Sequence, residues 1–547
     1  MPSLSVPFMA PHFSSLLPGL LVSISLFYAT LLSSIILYRI SPLHPLYKYP
    51  GPFLAKVSKF WNVWVMMTGK NHLCYKKLHA QYGPYVRIGP NELSITDVTA
   101  ISSILGAKGM PKGPSWEVRA GPNPEYRSLI SMRTVHEHVG RRKRWNRAFS
   151  TNAVKEYEPI VIKRALQLVD ELQRRSQPSS SSIGDHQSDS ESENAVDLAQ
   201  WLSFFTTDFM GDMAFGGGFE LMRDGQDKIG VWTILEESTE VLSYLQHVPW
   251  LASLLPIIPG VGGKVARTDQ FARELVTERK KRGSITKDLF HHLIDEDKEP
   301  PADEEVVSDG VLAIIAGSDT TSTVLSGLFC FVLADPKCYD RLREEVYSVF
   351  PIAEGDPFDA TRLAEMPYLN AVINEALRFQ PPVPSTLQRA PEKGSGGHWI
   401  GSHFIKEGTA VVVPPYTLFR DPAYFSPNPD TFCPERWLHS SASKRTPAQA
   451  QATAVVGSGA SASEKLSNAD AEVVTNTAAF IPFSYGPANC AGRNLALVEM
   501  RMVVALLVQR FDIRFAHGYD PMRWEEEIED YFVLKNGKLP VVLTPRA

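Results

Sequence analysis

The chain has 547 residues, 44% of them hydrophobic and 21% charged, with a formal net charge of −5, a globular balance with the length to bury a large core. With 55 Lys+Arg against 60 Asp+Glu, no basic excess exists to neutralise a phosphate backbone, which argues against a nucleic-acid partner. Five scattered cysteines, Cys74, Cys330, Cys338, Cys433 and Cys490, exclude a disulfide framework and point to a reducing compartment for the main domain.

After a short N-terminal stretch (1–15), expected to be lumenal, the run from Leu16 to Tyr38 contains no Asp, Glu, Lys or Arg. It is long enough for a helix to cross roughly 30 Å of hydrocarbon. A cleaved signal peptide fits less well, because no basic n-region precedes the run and no small-residue cleavage site follows it. Arg39, Lys48, Lys56 and Lys59 all follow, so the positive-inside rule leaves the N-terminus outside and the rest cytosolic. Four prolines (Pro42, Pro45, Pro50, Pro52) make residues 39–53 a hinge, predicted to be an extended, semi-rigid spacer.

The main domain is expected over 54–547. Apolar residues at helical spacing predict helices over Lys155–Arg175, Ala195–Phe215, Lys228–Leu245 and Asp269–Arg282. The strongest runs from about Glu304 to Ala334 and is stopped by Asp335-Pro336; at about 45 Å it must pass through the middle of the domain. Two stretches, 177–194 (Ser-rich and acidic) and 440–477 (Ala/Ser/Thr-rich), read as surface insertions. Strand-like runs are short and late, at Thr409–Val413 and Leu539–Leu543. The class is mainly α with a small β portion.

The chemistry concentrates in FSYGPANCAG, Phe483–Gly492, followed by an amphipathic helical run. A cysteine in a Gly/Pro/Asn loop that leads into a helix lies where backbone N–H groups and the helix dipole stabilise a thiolate. Taken alone, the pattern also fits an inert buried thiol. Upstream, Ala316–Thr321 reads AGSDTT in the long helix, where Gly317 and the hydroxyls of Thr320 and Thr321 can loosen the helical ladder. Glu375 and Arg378 stand at i and i+3, and Pro434-Glu435-Arg436-Trp437 follows downstream.

In order and separation these motifs resemble the cytochrome P-450 superfamily of haem-thiolate monooxygenases, of microsomal type and fungal-like. Phe483, Gly486, Cys490 and Gly492 match the ligand loop Phe-x-x-Gly-x-Arg-x-Cys-x-Gly, while Ala488 stands where that pattern has a basic residue. The resemblance covers nearly all of the chain after the anchor and implies the P-450 fold. It implies haem b as cofactor, with Cys490 as the axial thiolate. Phe483, Gly486 and Gly492 would shape the cofactor loop, and His138, Arg142 and Arg389 would reach the haem propionates. Asp319 and Thr320 would relay protons, and Glu375, Arg378 and Arg436 would form a buried structural triad. Ile315, Ala316, Val383, Pro384, Thr386, Phe532 and Val533 would line the substrate pocket, closed by Met110–Met132 and Leu202–Leu255.

The implied reaction inserts one oxygen atom into a lipophilic small molecule, by hydroxylation or epoxidation, in secondary metabolism or detoxification. No flavin or nicotinamide fingerprint is present in the sequence. Electrons are therefore expected from NADPH through NADPH-cytochrome P-450 reductase, with cytochrome b5 as an optional second donor. The docking cations expected near Cys490 are Arg141, Arg142, Lys143 and Arg144, and the expected location is the endoplasmic reticulum membrane. Two rivals belong to other classes: a P-450-fold isomerase or dehydratase without dioxygen activation, and a non-catalytic haem-binding membrane protein. The acid-alcohol pair Asp319-Thr320 argues against both, since neither needs dioxygen-linked proton delivery.

Overall fold

The computed structural model describes residues 13–120, 125–176, 194–252, 261–283, 287–295, 301–439 and 473–546. Most of the expected lumenal segment and the bulk of both expected insertions lie outside the described residues, as do 121–124 and 253–255 of the expected pocket closure. The end of the second insertion does not: Val474–Thr475 pairs antiparallel with Phe425–Ser426.

Helix α1, Phe13–Ile40, carries the apolar run with its large side chains exposed; Leu26, Phe27 and Leu37 are each over 60% accessible. Its Pro18–Ile40 portion is a candidate membrane span. The proline-rich segment after it corrects the expectation of an extended spacer. It turns back on the domain, burying Leu46 and Tyr49 against the sheet region, and Tyr49 hydrogen-bonds His403 Nδ1 at 3.0 Å. The reason is local: the residues between the prolines are apolar enough to gain from burial, and Gly51 permits a crossing so close that a Cβ would lie 2.1 Å from the Arg87 carbonyl oxygen.

The helical body is ordered around six helices that position the site. Helix α2, Val135–Ala148, is capped by Thr134, whose hydroxyl oxygen accepts from the Glu137 N–H at 3.4 Å. Helix α3, Leu198–Phe215, is capped by Asp197 and closed by Gly216 at φ +66. Helix α4 is Val231–Leu245. Helix α5, Asp303–Ala334, puts Asp303, Glu304 and Glu305 at the positive end of its dipole. Helix α6 is Pro367–Phe379, with proline at its first position, and α7 is Arg493–Arg510.

Helix α5 is long and apolar enough to span a membrane, yet most of it is buried in the body, as a core helix must be. It packs along α3, and Gly317 makes that contact possible: a Cβ there would lie 2.3 Å from Met210 Sδ. Helix α5 runs unbroken through 316–321. The core of Leu202, Phe205, Phe209, Leu325, Phe329 and Val504 joins α3, α5 and α7.

The sheet portion begins earlier than the sequence pattern indicates. Strands β1 (Tyr85–Gly89) and β2 (Glu92–Ile95) form a hairpin. Strand β3 (Leu387–Arg389) pairs antiparallel with β4 (Ala410–Val413), and β4 runs parallel to β2, giving the order β1-β2-β4-β3. At four or five residues each, β1 and β2 are too short to stand out by periodicity. Near the C-terminus, β5 (Glu529–Tyr531) and β6 (Val533–Lys535) form a hairpin with Phe532 at its tip, at φ +78.

Candidate active site

The cysteine loop is held by its own backbone. The Cys490 N–H donates to the Phe483 carbonyl at 2.9 Å, and the Asn489 N–H to the Gly486 carbonyl at 3.1 Å. Gly486 sits at φ +73 with a Cβ position 2.2 Å from the Leu105 carbonyl oxygen, so only glycine fits. At Gly492 an added Cβ would make only an ordinary 3.5 Å contact with Phe149, and Phe483 packs on the core with Arg493 over its ring at 5.7 Å. The thiol of Cys490 keeps accessible surface, yet burial pushes its pKa up against the pull of the Gly492 and Arg493 N–H groups and the Arg142 charge. Accessible surface with so much protein around it means that the sulfur faces an enclosed cleft.

Beside this cleft converge four basic side chains. Arg142, from α2, donates through Nη2 to Asn489 Oδ1 at 2.7 Å and through Nη1 to the Asn489 carbonyl. Arg389 is buried on β3 and donates to the Gln388 carbonyl at 3.0 Å. His138 is buried four residues before Arg142 on the same helix. The fourth, Lys112, was missed by sequence reasoning. It bridges to Arg389 as an isolated β-pair, and its Nζ donates to the Leu129 and Ile130 carbonyls at 2.8 and 2.9 Å. Its only sequence signal was membership of the Met110–Met132 stretch.

Burial lowers all four groups, and neighbouring charge adds to it at His138 and Lys112. Burial, then the charges of Lys112, Arg142 and Arg389, lowers His138 to about 4. Burial, then Arg389 and Arg142, holds Lys112 well below its usual range, and burial lowers Arg389 to about 10. Among the described residues none of the four pairs with a carboxylate. Buried cations without counter-charges are costly, so this donor set fits a doubly anionic group seated beside the Cys490 sulfur, as two propionates of a haem would be.

A second charged cluster is closed. Glu375 accepts from Arg378 Nη2 and Nε at 2.7 and 2.8 Å and from Arg436 Nε at 3.1 Å. The Trp437 indole and the Cys433 N–H donate to the same carboxylate at 2.9 and 2.8 Å. Arg378 also donates to the Phe419 and Pro429 carbonyls, both at 2.7 Å. Burial disfavours the Glu375 charge, but the bonds and charges of Arg378 and Arg436 hold its pKa below the ordinary value.

On α5 the residues Ile315, Ala316, Asp319 and Thr320 share one face at helical spacing, and Ala316 is exposed although the helix is largely buried. Thr320 donates to the Ala316 carbonyl at 2.7 Å. Burial, then the Glu236 charge on α4, raises Asp319 to about 7, and Glu236 pairs with Lys535 of β6 at 3.3 Å. Val383, Phe532 and Val533 cluster with Trp116 and Ile130, and the Thr323 hydroxyl donates to the Leu534 carbonyl at 2.9 Å, tying α5 to β6. Pro384 is buried with its carbonyl taken by the Tyr416 N–H, and Thr386 is buried with its hydroxyl unpartnered.

The expected docking cations need correction. Arg141 is buried and pairs with Glu305 at 2.8 Å and Asp309 at 3.4 Å, Arg144 approaches Glu305 at 3.7 Å, and Arg142 faces the cysteine loop. Of the four, Lys143 is the exposed one. Helical periodicity explains this: in a basic run on a surface helix, only some positions point outward.

The cytochrome P450 family model matches residues 50–541. The chain is 32% identical over 526 residues to "Cytochrome P450 67" of Uromyces fabae, covering 94% of this chain and 88% of that protein. It is 32% identical over 518 residues to "Cytochrome P450 monooxygenase nodW" of Hypoxylon pulicicidum, covering 94% and 85%. To "Tryprostatin B 6-hydroxylase" of Aspergillus fumigatus it is 29% identical over 547 residues, covering 98% and 88%.

Proposed function

The chain belongs to the cytochrome P450 family of haem-thiolate monooxygenases, and from that premise we propose that it hydroxylates or epoxidises a lipophilic small molecule in fungal secondary metabolism. The observation that carries the proposal is the uncompensated cluster of Lys112, His138, Arg142 and Arg389 next to Cys490. In this reading the cofactor is haem b, which the Cys490 thiolate would hold while Lys112, Arg142, Arg389 and the His138 ring would answer its propionates. Haem held there would supply oxygen-activating chemistry.

The chain's own residues do the rest. The N–H groups of Gly492 and Arg493 hold the sulfur in the geometry that lowers a thiol's basicity. Asp319, raised to about 7, is poised to gain and lose a proton near neutral pH. Thr320, one residue on, offers a hydroxyl on the same helix face. The apolar cluster of Trp116, Ile130, Val383, Phe532 and Val533 excludes water from the substrate side and favours lipophilic ligands.

Electrons would come from NADPH through a membrane-bound reductase meeting Lys143 and Arg493, both exposed near the cysteine loop. The endoplasmic reticulum membrane is the proposed location. Phe53, Leu54, Phe60, Trp64 and Met67, exposed just after the candidate span, support a domain resting against lipid. The test is turnover of NADPH by the full chain with added reductase, against a panel of lipophilic substrates. The reading requires reductase-dependent oxygenated product, and Thr320→Ala should divert electrons to peroxide or water. Product formed without reductase would instead favour an isomerase or dehydratase.

A further inference from the structure

Arg119 lies at the end of a short 3-10 turn, Pro114–Arg119, and shares the Trp116 ring with Lys112 of the basic cluster. The Trp116 ring has Lys112 Nζ 5.6 Å from its centroid and Arg119 Cζ at 6.0 Å. It also meets Phe532 edge-on at 5.7 Å. Arg119 is therefore one aromatic ring removed from the cofactor edge, on the apolar cluster assigned above to substrate. Its guanidinium stacks on Phe532, with Cζ 3.7 Å from the ring centroid. That contact helps hold the strained tip residue between β5 and β6.

The polar surroundings of Arg119 are incomplete. Both terminal nitrogens share one acceptor, Gln246 Oε1, at 3.3 Å each. Among the described residues no carboxylate pairs with it: Glu117, two residues before, is bonded to Arg133, and Glu240 on α4 takes the Tyr244 hydroxyl. Two further polar nitrogens end nearby. Gln246 is 2% exposed and His247 is 8% exposed, and Gln246 Nε2 and His247 Nε2 have no partner. Lys59 and Arg119 add their charges to the burial that keeps His247 neutral. Arg119 is half-buried, and burial lowers its pKa to about 9.

A guanidinium whose terminal nitrogens share one long contact, beside a buried amide N–H and an imidazole nitrogen without partners at the edge of an apolar cluster, is complementary to one kind of ligand group. We propose that Arg119, with Gln246 and His247, binds an anionic oxygen group of the substrate, a carboxylate or its equivalent. This rests on the monooxygenase reading for the identity of the pocket and goes beyond it. The substrate is an amphiphile, its apolar body on Val383, Phe532 and Val533 and its anionic end on Arg119. The stacking on Phe532 fixes the plane of the guanidinium, so the fork is oriented before ligand arrives.

The test is isothermal calorimetry on haem-loaded full-length protein in lipid nanodiscs, with phenylbutyrate and phenylbutanol as matched anionic and neutral probes. Wild type should bind phenylbutyrate at least about tenfold more tightly than phenylbutanol. Arg119→Met should abolish the preference by weakening phenylbutyrate alone. Arg119→Lys should retain part of it, since the ammonium keeps the charge and loses the fork. Gln246→Leu should fall between wild type and Arg119→Met. Failure of wild type to bind phenylbutyrate, equal affinity for both probes, or a preference that survives Arg119→Met would each overturn the proposal. The carbon monoxide spectrum of the same samples reports on the haem separately, so a wild type that shows the thiolate band but no preference for phenylbutyrate refutes this inference and leaves the monooxygenase reading standing.

Discussion

The molecule holds two buried clusters of arginine that look alike in composition and differ in closure. Around Glu375, each charge is answered from within the chain: a carboxylate takes two guanidinium groups, an indole and an amide, and the guanidinium groups spend their remaining N–H bonds on carbonyls. Around Arg389, the basic groups of Lys112, His138 and Arg142 crowd together, with carbonyl and amide oxygens as the partners of the cations, and burial followed by the neighbouring charges pushes the pKa values of Lys112 and His138 down. The lesson is physical. A buried set of cations that shares a carboxylate and spends its other N–H bonds on carbonyls holds a fold together, whereas one with no carboxylate is a binding site for whatever carries the missing charge.

The sharpest way to break this contrast is to open the closed cluster. Glu375→Ala leaves Arg378 and Arg436 buried without a counter-charge, a loss of about 3–5 kcal/mol. Thermal unfolding and soluble yield should both collapse. Glu375→Gln, which keeps the shape, should lose less. Because Glu375 is held below its ordinary pKa, its contribution is full above the unfolded carboxylate value of about 4. That contribution should vanish as pH falls through the folded value, so the difference between wild type and Glu375→Gln should narrow in acid.

The open cluster should respond in the opposite sense. Arg389→Met or Lys112→Met removes a repelling buried cation, so the cofactor-free fold should melt at the same temperature or higher. Haem retention, measured by transfer to a scavenging globin, should fall about tenfold or more. A large loss of fold stability with normal haem retention would erase the distinction between the clusters.

A smaller effect belongs to Asp319, whose folded pKa near 7 lies above its unfolded value of about 4. Ionising such a group costs native stability, and the cost is absent below the lower value and complete above the upper one. Asp319→Asn should therefore raise the melting temperature relative to wild type at about pH 8 and leave it unchanged at about pH 4. The smallest effect is expected at Lys143. Lys143→Glu should weaken reductase docking severalfold and steepen with falling salt, while Arg141→Gln should act on stability through Glu305 and Asp309.

What was legible in the sequence follows from how local each feature is. The long α5, the i, i+3 pair Glu375 and Arg378, and the loop-to-helix entry at Cys490 are set by residues close together, and spacing alone exposes them. Lys112 and Arg119 were not legible because their meaning comes from partners far along the chain, Arg389 for one and Gln246 and Phe532 for the other. Arg141 was misread for the same reason: Glu305 and Asp309, which bury it, lie on α5. The hinge was misread because prolines signal chain stiffness but say nothing of the apolar side chains between them, and those decide whether the segment is buried. Strands β1 and β2 were too short for their pattern to be seen.

The most direct test of the account is the difference spectrum of dithionite-reduced protein with and without carbon monoxide, for wild type and Cys490→Ala. The account predicts the long-wavelength Soret band of thiolate-ligated haem in wild type and its loss in Cys490→Ala. A wild-type band at the shorter wavelength of haem without thiolate, or a thiolate band that persists in Cys490→Ala, would contradict it.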